Sequence, residues 1–123
     1  MAFFNLFLLL AMGHFLGDFA LQSDRMALQK CAGADPTLPW WIWLTAHAAI
    51  HGLIVAVLTG VPLLGLGEWV LHGLIDYGKC RHRYSIVTDQ LLHLGCKAGW
   101  AALIVMVFPA EKPWLLQIGR AHV

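Results

Sequence analysis

The chain has 123 residues, of which 59% are hydrophobic and 12% charged, with a mean hydropathy of +0.69 and a formal net charge of +1. Soluble domains are about a quarter charged, so this composition excludes an ordinary water-facing surface, and the near-neutral balance excludes electrostatic nucleic-acid binding. The length suits one domain, and apolar runs of about twenty residues match a bilayer core of about 30 Å.

The first apolar run, about Phe3 to Leu21, predicts a span that is polar along one stripe through His14, Asp18 and Gln22. It lacks a basic leading segment, and His14 and Asp18 fall where a cleavage site would be, so a retained span is expected rather than a secretory signal. A solvated loop with Ser23, Asp24, Arg25 and Lys30 follows, with a turn at Asp35-Pro36. Thr37 is placed to cap the second helix, with Pro39 in its first turn. Trp40, Trp41 and Trp43 read as an interfacial aromatic belt, and the span continues through His47 and His51 to about Leu58.

Thr59 to Pro62 makes a turn into a third span, about Leu64 to Tyr77. Its shortness and Gly65, Gly67 and Gly73 predict a helix that is tilted, thinned around or partly broken. The most basic stretch, Lys79 to Arg83, comes next. Thr88 predicts the N-cap of a fourth span running to about Phe108, with Asp89 placed well for the helix dipole.

Basic residues gather in the first loop (Arg25, Lys30) and the third (Lys79, Arg81, Arg83), while the second loop has none. In an up-and-down arrangement those two loops share one side, which the positive-inside rule makes cytoplasmic. Cys31, Cys80 and Cys96 form no CxxC pair, and the odd count argues against a disulfide framework, so unpaired thiols on a reducing side are expected. Residues 1–116 are expected to form a single transmembrane helical domain. Gln117 to Val123 reads like one frame of a short-read sequencing adapter and is expected to be a non-native tail, so Arg120 and His122 are left out of the site.

One spacing recurs in every apolar segment. His14 pairs with Asp18, His47 with His51, His72 with Asp76 and Asp89 with His93, each four residues apart. Such residues project from one helix face, about 6 Å apart. Alternating helix direction brings all four pairs into the half nearest the basic loops. An ionisable group in hydrocarbon costs about 2.5–3.5 kcal/mol even on lenient scales, so these side chains should face inward and satisfy one another. Histidine and carboxylate at this spacing can hold a metal from one helix turn, and facing helices can build dinuclear sites. The set suffices for one or two divalent transition metals such as zinc, manganese or iron.

In the metal reading His14, Asp18, His47, His51, His72 and His93 are ligand candidates, Asp76 and Asp89 are ligands or catalytic orienters, and Lys79 anchors an anion. Two other readings stand beside it: a proton or ion pathway, and a structural or assembly network of polar contacts. Glu68 reads as an end-of-helix interfacial residue and Lys97 as a snorkelling one. Gln22, Asp24 and Arg25 read as helix-end and loop chemistry.

The ordered set His14-x3-Asp18-Phe-x-Leu-Gln22, His47-x3-His51, His72-x3-Asp76-x2-Lys79 and Asp89-Gln90-x2-His93 resembles the domain-of-unknown-function family three-three-zero-seven. The likeness runs from the first helix to about Phe108. It implies a small multi-pass protein of the bacterial inner membrane, from bacteria or their phages, and carries no established activity. Glu68 and Cys80 are outside the pattern. In style alone, the helices also resemble those of inner-membrane metal-dependent hydrolases.

The expectation is therefore an all-α polytopic membrane protein with about four transmembrane helices in an up-and-down bundle. Its function is a metal-dependent, hydrolase-like site or, alternatively, a non-enzymatic conductor or assembly subunit. The expected partners are the lipid bilayer, an anionic or lipid-like substrate and, in an oligomer, further copies of the chain.

Overall fold

The computed structural model describes residues 2–33 and 38–107, and those residues form helices and their connections. Helix α1 (Ala2–Phe15) passes directly into a π-helical turn, Leu16–Ala20, and is followed by a short helix α2 (Asp24–Gln29). Three long helices complete the chain: α3 (Trp40–Thr59), α4 (Pro62–Cys80) and α5 (Ile86–Met106). The all-α expectation holds. The turn at Asp35-Pro36, the Thr37 cap, the stretch from Phe108 and the tail from Gln117 lie outside the described residues.

α1 with its π-turn, and each of the three long helices, buries a run at strict four-residue spacing. The runs are Leu6, Leu10, His14 and Asp18; His47, His51, Val55 and Thr59; Leu64, Glu68, His72 and Asp76; and Asp89, His93, Lys97 and Ala101. Residues four apart form a continuous ridge on a helix, and ridges of this kind pack together. α3 lies most extensively along α4, while α1 packs on α5 and α3, and α4 also meets α5. One end of the interior joins the start of α1 and α4 to the end of α3 and α5 through Leu6, Leu10, Val55, Val61, Leu64, Ala101 and Ile104. The other end holds the histidines and carboxylates, so successive long helices run in opposite directions.

The distribution of polarity is inverted relative to a soluble protein. Histidine, carboxylate and lysine side chains are buried, while large apolar side chains such as Phe4, Phe19, Leu53, Leu63, Leu74, Val87 and Leu91 are exposed. Two helical segments among the described residues, Ala2–Ala20 and Trp40–Thr59, are long and apolar enough to cross a membrane. α4 and α5 reach the length but carry more polar residues, among them Glu68, Asp76, Asp89 and Lys97.

Local details correct several expectations. α4 is an unbroken helix of 19 residues with Pro62 in its first turn. Its Gly65 serves close approach rather than a break: a Cβ there would lie 2.6 Å from the Gly52 carbonyl oxygen, and one on Gly52 would lie 2.7 Å from that of Gly65. Small residues let helix backbones touch in this way. α3 starts after Pro39, which is its N-cap rather than a first-turn residue. The cap of α5 is Ser85, whose hydroxyl accepts from the Thr88 N–H at 3.2 Å, so Thr88 lies inside the first turn. Part of the first loop is helical because Ser23 caps α2 through the Met26 N–H at 3.1 Å.

Cys31 and Cys80 are joined by a disulfide, with Cα atoms 5.2 Å apart, so they are not the unpaired thiols expected; Cys96 is free and half-buried. The bond ties the residues just after α2 to the last residue of α4.

Candidate metal centre

The site grows from the four-residue runs. α1 supplies His14 and the π-turn after it Asp18, α3 supplies His47 and His51, α4 supplies Glu68, His72 and Asp76, and α5 supplies Asp89, His93 and Lys97. Asp18 lies in the π-helical turn, closed by the Leu21 N–H bonding to the Leu16 carbonyl at 2.9 Å. Residues four apart drift around an α-helix by about 40° per step, and the wider π-turn offsets part of that drift where the carboxylate must stay on the inner face.

Two carboxylates are the hubs. Asp18 Oδ1 lies 3.0 Å from His51 Nε2, 3.2 Å from His47 Nε2 and 3.5 Å from His72 Nε2. Asp18 Oδ2 accepts from Gln90 Nε2 at 2.9 Å and lies 3.4 Å from His14 Nε2. Asp76 Oδ1 is 3.0 Å from His93 Nε2, while its Oδ2 is 3.3 Å from His47 Nε2, 3.4 Å from His72 Nε2 and 3.1 Å from Lys30 Nζ. The imidazoles pack around His72, stacked on His51 and His93 with centroids 3.7 and 4.1 Å away.

Every one of these rings turns Nε2 inward. The outward Nδ1 of His72 meets Glu68 Oε1 at 3.3 Å, whereas the Nδ1 atoms of His14, His47, His51 and His93 are buried without a hydrogen-bond partner. His51 Nε2 also makes no well-aligned hydrogen bond despite its short distance to Asp18. A carboxylate on the far nitrogen of an imidazole fixes its tautomer and leaves the near nitrogen a free lone pair, as around metal-ligating histidines. Asp18, His47, His51 and His72 each offer one ligand atom, all within 4.8 Å of one another.

All six metal-ligand candidates therefore meet in one cluster, and Asp76 and Asp89 join it. Lys79 does not reach it in the same way. It is half-buried and lines a cavity of about 360 Å³ that opens onto Asp18, Asp76, Asp89 and Gln90, while the ammonium that reaches Asp76 is that of Lys30.

Five participants carry roles that the linear sequence did not assign. Glu68 is 1% exposed, not interfacial: it accepts from Lys97 Nζ and, at 2.7 Å, from Trp100 Nε1. Lys97 is likewise 1% exposed and does not snorkel. The signal for both was present, because 68 continues the run through 72 and 76, and 97 continues the run through 89 and 93. Gln90 ties Asp18 to Asp89 and pairs with His14 at 2.9 Å. Lys30 comes from outside the spans and had no spacing to mark it. Gln22 donates to the Asp18 carbonyl at 2.9 Å and lines the cavity, as well as ending the helix.

Beyond the cluster, Tyr84 lies over Gly78 and donates its hydroxyl to the Ile75 carbonyl. Burial, followed by the negative charges of Asp89 and Asp76, holds this phenol above its ordinary pKa.

Neither a curated protein nor a solved structure matches the chain. A family model does, over residues 6–117, a stretch that contains every residue of the cluster. The chain belongs to the family described as protein of unknown function (DUF3307).

Proposed function

We propose that this chain is a four-span bacterial inner-membrane protein whose interior holds a divalent metal on Asp18, His47, His51 and His72, in a site of hydrolase type. The observation that carries the metal reading is the buried set of four ligand atoms, from the π-turn, α3 and α4, within 4.8 Å of one another. Charge supports it. Glu68 is matched by Lys97, whereas among the described residues Asp18, Asp76 and Asp89 have one lysine ammonium within ion-pair distance, that of Lys30. A divalent cation would add positive charge beside these carboxylates.

The membrane reading rests on the exposed apolar side chains of α1, α3, α4 and α5 and on the two segments apolar enough to cross. A bound metal supplies an acidified water, with a pKa lowered to about 7. Asp76 and Asp89 are then the proton acceptors at the cavity floor. Lys30 and Lys79 on the cavity wall attract an anionic, amphipathic substrate, for which Lys79 is the freer anchor. We orient this end toward the cytoplasm, since it gathers Arg25, Lys30, Lys79, Arg81 and Arg83.

Conduction is disfavoured. The polar chain ends at Lys97 and Trp100, and the other half of the interior is the apolar cluster from Leu6 to Ile104. The rival with support is a structural network, because Lys30, Gln90 and Lys97 already pair with the carboxylates.

The test is metal content by mass spectrometry on detergent-purified protein beside a folded His51→Ala/His72→Ala variant. Stoichiometric transition metal in the first and little in the second is expected. Protein that stays metal-free after reconstitution with zinc, manganese and iron overturns the metal site in favour of the structural network.

A further inference from the structure

The set that carries the metal reading uses one oxygen of Asp18. The other faces a different group of ligands. Asp18 Oδ2 points toward α5, where Gln90 Nε2 bridges it to Asp89 Oδ2 at 2.9 and 3.1 Å. Asp89 is 3% exposed, and its Oδ1 is buried without a hydrogen-bond partner, 3.4 Å from His93 Nε2. Asp18, Asp89 and His93 each offer a ligand atom, all within 4.8 Å of one another. A buried carboxylate oxygen left without a donor is costly unless a cation or proton meets it. The same face is open to the cavity lined by Asp18, Asp76, Asp89 and Gln90, so an ion could reach it.

We propose a second divalent-cation subsite on Asp18, Asp89 and His93, with Asp18 as the carboxylate shared between two ions. This rests on the first metal site being real. Asp76 Oδ1, 3.0 Å from His93 Nε2, stands beside the second subsite and completes its acidic wall. The charges set an order of filling. The first ion meets the undiminished negative charge of the carboxylates. The second is repelled by the first, so it binds more weakly and is favoured by an anion in the cavity. Sharing one carboxylate between two cations is the arrangement that lets paired metals act on one substrate group.

The full chain in detergent, stripped with chelator and titrated with manganese(II) chloride, is followed by electron paramagnetic resonance. Two bound ions per chain are expected, the second at least about tenfold weaker, with a spin-coupled signal at saturation. Asp89→Asn, which keeps shape but loses charge, should saturate at one ion with an uncoupled signal. Saturation of the unaltered chain at one ion overturns the second subsite and leaves the first standing. Two ions without spin coupling also overturn it, since ions sharing Asp18 must couple. No bound manganese overturns the second subsite, while the first site stands or falls on metal content after reconstitution with zinc, manganese and iron. The stoichiometry and coupling of the unaltered chain decide the matter even where Asp89→Asn does not fold.

Discussion

Gly17 presents bare backbone to the imidazole of His51. A Cβ on Gly17 would lie 2.6 Å from His51 Cε1 and 2.8 Å from Nε2, closer than van der Waals contact allows. The absent side chain is therefore what lets His51 reach Asp18 from across the helix pair. Gly17→Ala should push the ring away and weaken metal binding about 10–100-fold, the range seen when a ligand loses its orienting neighbour. A competition titration against a chelating dye measures this. Unchanged affinity would show that His51 is not a ligand.

Glu68 and Lys97 should behave as a coupled pair. Removing either alone, as in Glu68→Gln or Lys97→Met, leaves a buried charge uncompensated and should cost about 3–5 kcal/mol. The double substitution should recover much of that loss. Thermal unfolding in detergent over the four-member cycle reads the coupling, and additive losses would sink the idea.

Glycines on these helices should differ in sign by position. Gly65→Ala drives a Cβ into the Gly52 carbonyl and should cost about 1–3 kcal/mol by overpacking. Gly95→Ala meets nothing within 4 Å in the middle of α5 and should stabilise by about 0.5–1 kcal/mol through helix propensity. Comparing the two unfolding midpoints tests whether the α3–α4 crossing is as close as described.

The disulfide and the basic residues make opposite statements about the same end of the molecule. The proposed charge-based orientation would put it in the cytoplasm, where thiols are kept reduced, whereas a persistent bond needs an oxidising compartment. With the charge-based orientation, Cys31 and Cys80 should be free in growing cells and should close on purification in air. Alkylation before lysis, followed by non-reducing electrophoresis, checks this. A bond already closed in cells would invert the orientation.

Tyr84 offers a spectroscopic view of the carboxylates. Its phenol is held above the ordinary 10.0 by burial and by Asp89 and Asp76. A raised folded value means that the unfolded chain gives up this proton first, so the contribution of Tyr84 to stability is full below 10.0 and is lost as pH rises from there through the folded value. Metal on Asp89 cancels part of the field. An ultraviolet titration with and without manganese should therefore show the apparent pKa moving down on loading.

The paired spacings in the sequence exposed the ligand cluster because they lie within single helices, where three or four residues make a turn. The rest depended on long-range contacts. Glu68 finds Lys97 and Trp100 across 29 and 32 positions, and Cys31 finds Cys80 across 49. Judged alone, a lysine and a glutamate in apolar helices look like residues reaching for water; their burial follows only once α4 and α5 face each other. Lys30 was legible as a loop cation, yet its reach to Asp76 depends on where α2 folds back. The glycines of α4 read as weakness because composition cannot tell a helix that breaks from one whose neighbour comes close.

The π-turn at Leu16–Ala20 has a consequence for insertions and deletions. Such a turn holds about one residue more than the α-helical turn it replaces. Losing Leu16 would rotate Asp18 by about 100° and carry it off the inner face. Losing Phe19 or Ala20 would instead absorb the surplus residue downstream of Asp18, leaving the carboxylate in register and disturbing mainly Gln22 and α2. Tolerance to one-residue deletions should therefore change abruptly across Asp18, a boundary that a deletion scan can locate without any knowledge of the reaction.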